Sequence, residues 1–137
     1  MKFITKSFDL SKGSFTIELD RPCRCYVGLV EWHMPSFDIK HYTDNIVDIS
    51  CEQIDSSFDN HKRLLKRVVS SNAKWQHMTH YTPHFIDYKM IDSQDRFLKF
   101  TIKRFDGEKL EFPGTKIAHA VLVLKPINEK EDKWLCI

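Results

Sequence analysis

Glycine is scarce in this chain. Four occur in 137 residues, at Gly13, Gly28, Gly107 and Gly114, and neither G-x-x-x-x-G-K nor G-x-G-x-x-G can be assembled from them. A loop that cradles phosphate through its backbone amides needs such a run, so that class of nucleotide chemistry is excluded. Long apolar stretches are also missing: none approaches the roughly 20 residues that a membrane helix requires. Lysines at 2, 6 and 12 interrupt MKFITKSFDLSKG and leave no apolar core for a secretory signal. The expectation is synthesis in the cytoplasm or nucleus, without secretion. Charge of one sign is lacking too. The 21 basic residues against 19 acidic ones give +2, too even a balance for a nucleic-acid coat.

The reactive residues form no recognisable machinery. Of the four cysteines, Cys23 and Cys25 are two apart, on one face of a strand, and no second pair answers them as a zinc site would require. Reduced structural thiols are expected. No G-x-S-x-G elbow occurs, and Cys51 and Cys136 have no motif partner. WQHMTHYTPH gathers His77, His80 and His84, but Pro83 and the absence of an apolar period predict a surface loop. His119 falls inside an apolar strand and reads as a hydrogen-bonded core histidine. Asp44 with Asp48, and Glu108 with Glu111, read as wet strand faces or turns. Nucleophile, base and orienter cannot be combined, so no enzyme, no cofactor and no metal are expected.

What the chain does contain is strand pattern. Phe3, Ile4 and Phe8 suggest a first strand, and Phe15, Ile17 and Leu19 one face of a second. CYVGLVEWHM, 25–34, suits a central strand covered on both sides and ended by Pro35. NIVDIS and FIDYKMI add two more. In FLKFTIKR, Leu98, Phe100 and Ile102 are set to be buried, while Lys99, Thr101 and Lys103 face water. Asp106-Gly107 signals a hairpin, after which Leu110 and Phe112 resume the apolar face. IAHAVLVLKP, apolar on both faces, lies inside the sheet system. HKRLLKRVV, 61–69, fits a helix or an edge strand equally well. Within it Lys62, Arg63, Lys66 and Arg67 form a basic group, either a solvated face or a phosphate contact such as one to a packaged genome. About eight short strands predict an all-β sandwich or barrel.

Three collinear segments together resemble the minor capsid (penton) proteins of Polinton/Maverick-type elements and adinto-like viruses. YVGLVEWHMPSFDI, 26–39, resembles an early core strand that leads into an aromatic-rich loop. NIVDISCEQIDSSFDNHKRLLKRVV, 45–69, is similar to a strand and polar bend before a "pLLr" stretch, where Leu64-Leu65-Lys66-Arg67 sits. Residues 85–126 resemble the closing block, in which a strand leads through "I.I.I.d..G..v.F..g" to a final apolar strand.

The resemblance implies a single jelly roll over residues 1–127, with a C-terminal tail at 128–137. It implies a homopentamer at each five-fold vertex of a virion, beside a double-jelly-roll major capsid protein. Weak contact with packaged DNA and no contact with membrane are expected. Lys99, Lys103, Arg104 and Glu108 are candidates to set register between neighbours, and Trp134 and Leu135 could anchor the tail on a neighbour or on its own barrel. The alternative is a non-enzymatic β-sandwich binding module, TNF-like or lectin-like, of cellular or element-derived origin.

Overall fold

A computed structural model describes residues 1–35, 46–55, 63–69, 78–92, 94, 96–104, 107–108, 116–127 and 135–136. Its strands are β1 (Lys2–Asp9), β2 (Ser14–Glu18), β3 (Cys23–Pro35), β4 (Ile46–Cys51), β5 (Leu64–Val69), β6 (Met78–Tyr81), β7 (Lys89–Asp92), β8 (Phe97–Arg104), β9 (Ile117–Pro126) and β10 (Leu135–Cys136). All pair antiparallel, in two sheets. One runs β1-β9-β3, with β7, β6 and the short β10 also on β3; the other runs β2-β8-β4-β5. The chain is a β-sandwich. The segment 61–69 that sequence left open is therefore an edge strand where it is described, paired on one side with β4.

Alternation sorts the residues between core and solvent. On β8, Leu98, Phe100 and Ile102 are buried while Lys99 and Lys103 are exposed and Thr101 is half-buried. On β9, Ala118, Ala120, Leu122 and Leu124 face inward. The two sheets meet through rings: Phe8 of β1 stacks on Phe15 of β2 at 4.3 Å, and Phe15 in turn stacks on Phe100, its cross-strand partner on β8, at 4.8 Å. The turn between β1 and β2 carries the chain from one sheet to the other. Asp9 accepts from the amide and the hydroxyl of Ser11, at 3.0 and 2.7 Å, and Gly13 closes the 3-10 turn at φ 70°. That positive φ is left-handed and suits glycine. The Ser11 hydroxyl also holds the Asp9 carboxyl below its ordinary range.

Two bulges break the period of two. On β3 the register slips between Leu29 and Glu31, so the inward set passes from Cys25, Val27 and Leu29 to Trp32 and Met34. On β5 the slip falls beside Leu65, which is buried although its neighbour Lys66 stands opposite inward-facing Ile49. Lys66 thus points inward from an edge strand. So does Lys6 on β1, opposite buried Ala120.

Sequence suggested a strand from Phe85, but the ladder starts only at Lys89. Residues 82–88 instead join β6 to β7 by crossing the outer face of β3. A Cβ on Gly28 would lie 2.4 Å from Ile86 Cγ2 and 3.4 Å from Tyr88 Cδ1. Gly28 leaves room for this crossing, and Val123 is fully buried beneath it without joining the interior cluster.

The turn after β8 is also wider than a two-residue hairpin. The Gly107 amide donates to the Arg104 carbonyl, and the Arg104 amide donates to the Glu108 carbonyl, both at 2.9 Å. Gly107 has φ 87°, which suits a three-residue connection with glycine last. Leu110 and Phe112 lie outside the described residues. Among the described residues no helix is long and apolar enough to cross a membrane.

Candidate interaction surface

The wet face of the β2-β8-β4-β5 sheet holds four of the charged residues that sequence singled out, Asp48, Arg67, Lys99 and Lys103. Lys103 stands directly opposite Asp48, which stands opposite Arg67. Arg67 grips Asp48 with two hydrogen bonds, Nε to Oδ1 at 2.7 Å and Nη2 to Oδ2 at 3.0 Å. Asp48 is only 7% exposed. It was expected on an open wet face; the face is right, but the guanidinium covers it. The bonded carboxylate, and then its charge, hold Arg67 above its ordinary value. Along the same face Lys99 lies 3.7 Å from Glu52, and Arg96 lies 2.8 Å from Glu18. Both pairs are half-exposed or more, so they contribute little to stability and can be exchanged for partners on another chain.

The residues proposed for contact between chains do not all belong to this face. Lys99 and Lys103 are on it, and Glu108 is exposed at the turn. Arg104 is not. It has the parity of Leu98, Phe100 and Ile102, stands opposite inward-facing Val47, and has a buried Nε. Trp134 lies outside the described residues. Leu135 belongs to β10, whose backbone pairs with Arg24 and Cys23 of the same chain, so this part of the tail folds back on its own sheet.

The basic group is engaged within the chain. Arg63 donates from Nη1 to the Glu52 carbonyl at 2.6 Å, and Lys66 meets Asp87 at 2.5 Å. With Arg67 on Asp48, three of the four bases would have to leave internal partners before binding phosphate; Lys62 lies outside the described residues. The Lys66–Asp87 bond joins an edge of one sheet to the crossing segment of the other. It raises the Lys66 ammonium and lowers the Asp87 carboxyl from their ordinary values.

Around the next corner the sheets are stitched by backbone. Asp55 donates to Met90 and Asp92 to Gln53, while the Gln53 side chain accepts from the Lys99 amide at 2.8 Å.

The other outer face, that of β1-β9-β3, differs in kind. Phe3 is 60% exposed and Ile117 46% exposed, with Thr5, Ser7, Val121 and two histidines between them. His119 was expected in the core. It lies on this outer face instead, half-buried, with Nδ1 2.7 Å from the Ser7 hydroxyl. His33 stands opposite it on β3, and its Nε2 is 3.1 Å from Glu31 Oε2. His80, expected in a loop, falls in β6 at the register position opposite His33; His84 is exposed beyond it and His77 lies outside the described residues. Sequence reasoning missed this row because its members sit on strands far apart in the chain. It also missed Phe85, which stands 78% exposed on the crossing segment.

Among the described residues no three His, Cys, Asp or Glu side chains are placed to hold a metal as they stand. Cys25 and Cys51 are buried and outside any disulfide, and burial pushes the Cys51 thiol up to about 11. Neither is a reactive nucleophile. No known protein family matches this chain, and no curated protein matches it either.

Proposed function

We propose that this chain is a structural assembly protein, a single jelly roll that works as the minor capsid (penton) protein of a Polinton/Maverick-type element or an adinto-like virus. Strand order is the observation that carries the reading. The chain places β1 and β3 in one sheet with β2 and β4-β5 in the other, then returns through β7, β8 and β9. The result is β1-β9-β3-β7 facing β2-β8-β4-β5, an order that supports the reading of two Greek keys rolled into one barrel.

Such a barrel offers side faces to its neighbours and loops to the two capsid surfaces. Five copies closing a ring share a heterologous contact of roughly 800 Å² per partner or less. On this reading Lys99 exchanges its weak pair with Glu52, and Lys99, Lys103 and exposed Glu108 form pairs across the ring, beside a double-jelly-roll major capsid protein. DNA contact through Lys62, Arg63, Lys66 and Arg67 is the weakest part of the proposal, because three of these bases already have partners.

Mass measurement across a concentration and salt series, with electron microscopy of the largest species, tests the reading. A five-fold ring that salt weakens supports it. A stable trimer favours the TNF-like or lectin-like binding module. A strict monomer, even beside the major capsid protein, overturns it.

A further inference from the structure

We propose that Cys23 and Cys136 form a cross-strand disulfide under oxidising conditions, a redox staple that fastens the C-terminal segment to the start of β3. The inference does not depend on the capsid reading.

Backbone register carries it. β9 runs antiparallel to β3 until Pro126 stands opposite Cys25. β10 takes the next two positions in the same line, Leu135 opposite Arg24 and Cys136 opposite Cys23; the other side of Arg24 is occupied by Asp92 of β7. Residues directly opposite in an antiparallel pair have Cα atoms about 4.5–5.5 Å apart, inside the roughly 4.4–6.8 Å span of a disulfide. The other pairings of the four cysteines fit less well. Cys25 is two residues from Cys23 along one strand, about 6.6 Å by the strand rise, at the far limit of that span. From Cys25 to Cys136 is a diagonal of about 7–8 Å, beyond it. Cys51 lies on β4 of the facing sheet, fully buried opposite Phe100, and facing sheets stand about 10 Å apart.

In a reducing compartment both cysteines stay thiols, as the sequence leads one to expect. The oxidant is a small disulfide such as oxidised glutathione. One protein thiolate attacks it, forming a mixed disulfide and expelling one glutathione thiol; the opposite cysteine then attacks the protein sulfur and expels the second. Two protein S–H bonds and one glutathione S–S bond break, one protein S–S bond forms, and the two glutathione thiols leave with two electrons and two protons. The ladder by itself holds β10 through only two residues. The bond closes almost the whole chain into one loop, which restricts the unfolded state strongly, and it ties down both ends of the charged stretch from Glu129 to Lys133.

The test equilibrates the full chain in glutathione buffers of graded reduced-to-oxidised ratio, then alkylates it and maps its peptides by mass. Two of the four thiols should disappear together, a linked Cys23–Cys136 peptide should appear, and no covalent dimer should form on a non-reducing gel. Oxidation should raise Tm by several degrees. Cys23→Ser and Cys136→Ser should each abolish that rise, while Cys51→Ala should keep it even where the variant melts lower. If a variant fails to fold, the thiol count and linked peptide of the unaltered protein decide. Four thiols persisting in oxidised glutathione, a link to Cys25 or Cys51 instead, a bond found only between chains, or a Tm that oxidation leaves unchanged would overturn the staple.

Discussion

The two outer faces of this sandwich follow the same rule of alternation and reach different ends. On β8 every outward residue from Lys99 to Lys103 meets water or a charged neighbour across the strands. On β9 the outward residues run Ile117, His119, Val121 and Val123, and the last is fully buried because residues 82–88 cross over it. An outward position is therefore not an exposed position. What decides is whether a second layer of chain lies on the sheet, and here Gly28 allows that layer. The charged face can meet partners through exchangeable pairs, whereas the other face offers ring nitrogens, a carboxylate and scattered apolar groups.

The strongest way to break the comparison is to attack the inner side of the charged sheet. Phe100→Ala should cost on the order of 3–5 kcal/mol, against less than about 0.5 kcal/mol for Lys99→Ala. Urea unfolding of both variants measures the gap, and a Phe100 loss below about 1 kcal/mol would reverse the inner and outer faces.

Next in size is Val123→Lys. A charge placed beneath the crossing segment should cost about 3 kcal/mol or expel residues 82–88 from the sheet. Thr101→Lys on the open face should change little. Limited proteolysis near Phe85 alongside the melts would separate expulsion from simple destabilisation.

Gly28→Ala is smaller in volume but aimed at the same layer. Its methyl group meets Ile86 Cγ2 at 2.4 Å, and overpacking of this kind costs typically 1–3 kcal/mol. Pairing it with Ile86→Ala should recover part of the loss. A double variant no better than the sum of the two would separate Gly28 from Ile86.

The smallest effect is electrostatic and depends on pH. Asp87 has a lowered carboxyl, so its contribution is full above the ordinary unfolded value near 3.9 and is lost as pH falls through the folded value. Lys66 has a raised ammonium, so its contribution is full below about 10.4 and is lost as pH rises through the folded value. Asp87→Asn should therefore lower Tm between about pH 5 and 9, and the difference should fade as pH falls through the lowered value of the folded carboxyl. The size stays below about 1 kcal/mol, because Asp87 is 56% exposed and solvent screens the pair. A difference that persists at low pH would assign the effect to packing.

Much of the sandwich is legible in sequence because half-buried strands announce themselves. FLKFTIKR states its faces outright, and IAHAVLVLKP states that it lies inside a sheet system. The errors cluster where the period of two fails. Leu64-Leu65 looked helical because the bulge shifts their phase against Val68, and Phe85-Ile86 looked like a ladder strand because Ile86 is apolar for another reason, packing across a sheet. Arg104 was placed on the wet face by its charge although its parity puts it inside. The row of Glu31, His33 and His119 could not be read at all, since cross-strand neighbours are fixed by register, and register between β3 and β9 depends on a bulge that no local motif marks.

The two inward lysines carry a consequence for how copies of this protein can join. A strand added to β1 or β5 would extend a sheet whose outermost inner position is an ammonium, Lys6 or Lys66, and each further strand would push that charge deeper into an apolar layer. Growth as a continuous ribbon is therefore opposed at its first step on these two of the four sheet edges. On those two sides, copies of this protein would have to meet as finished units and not through shared strands.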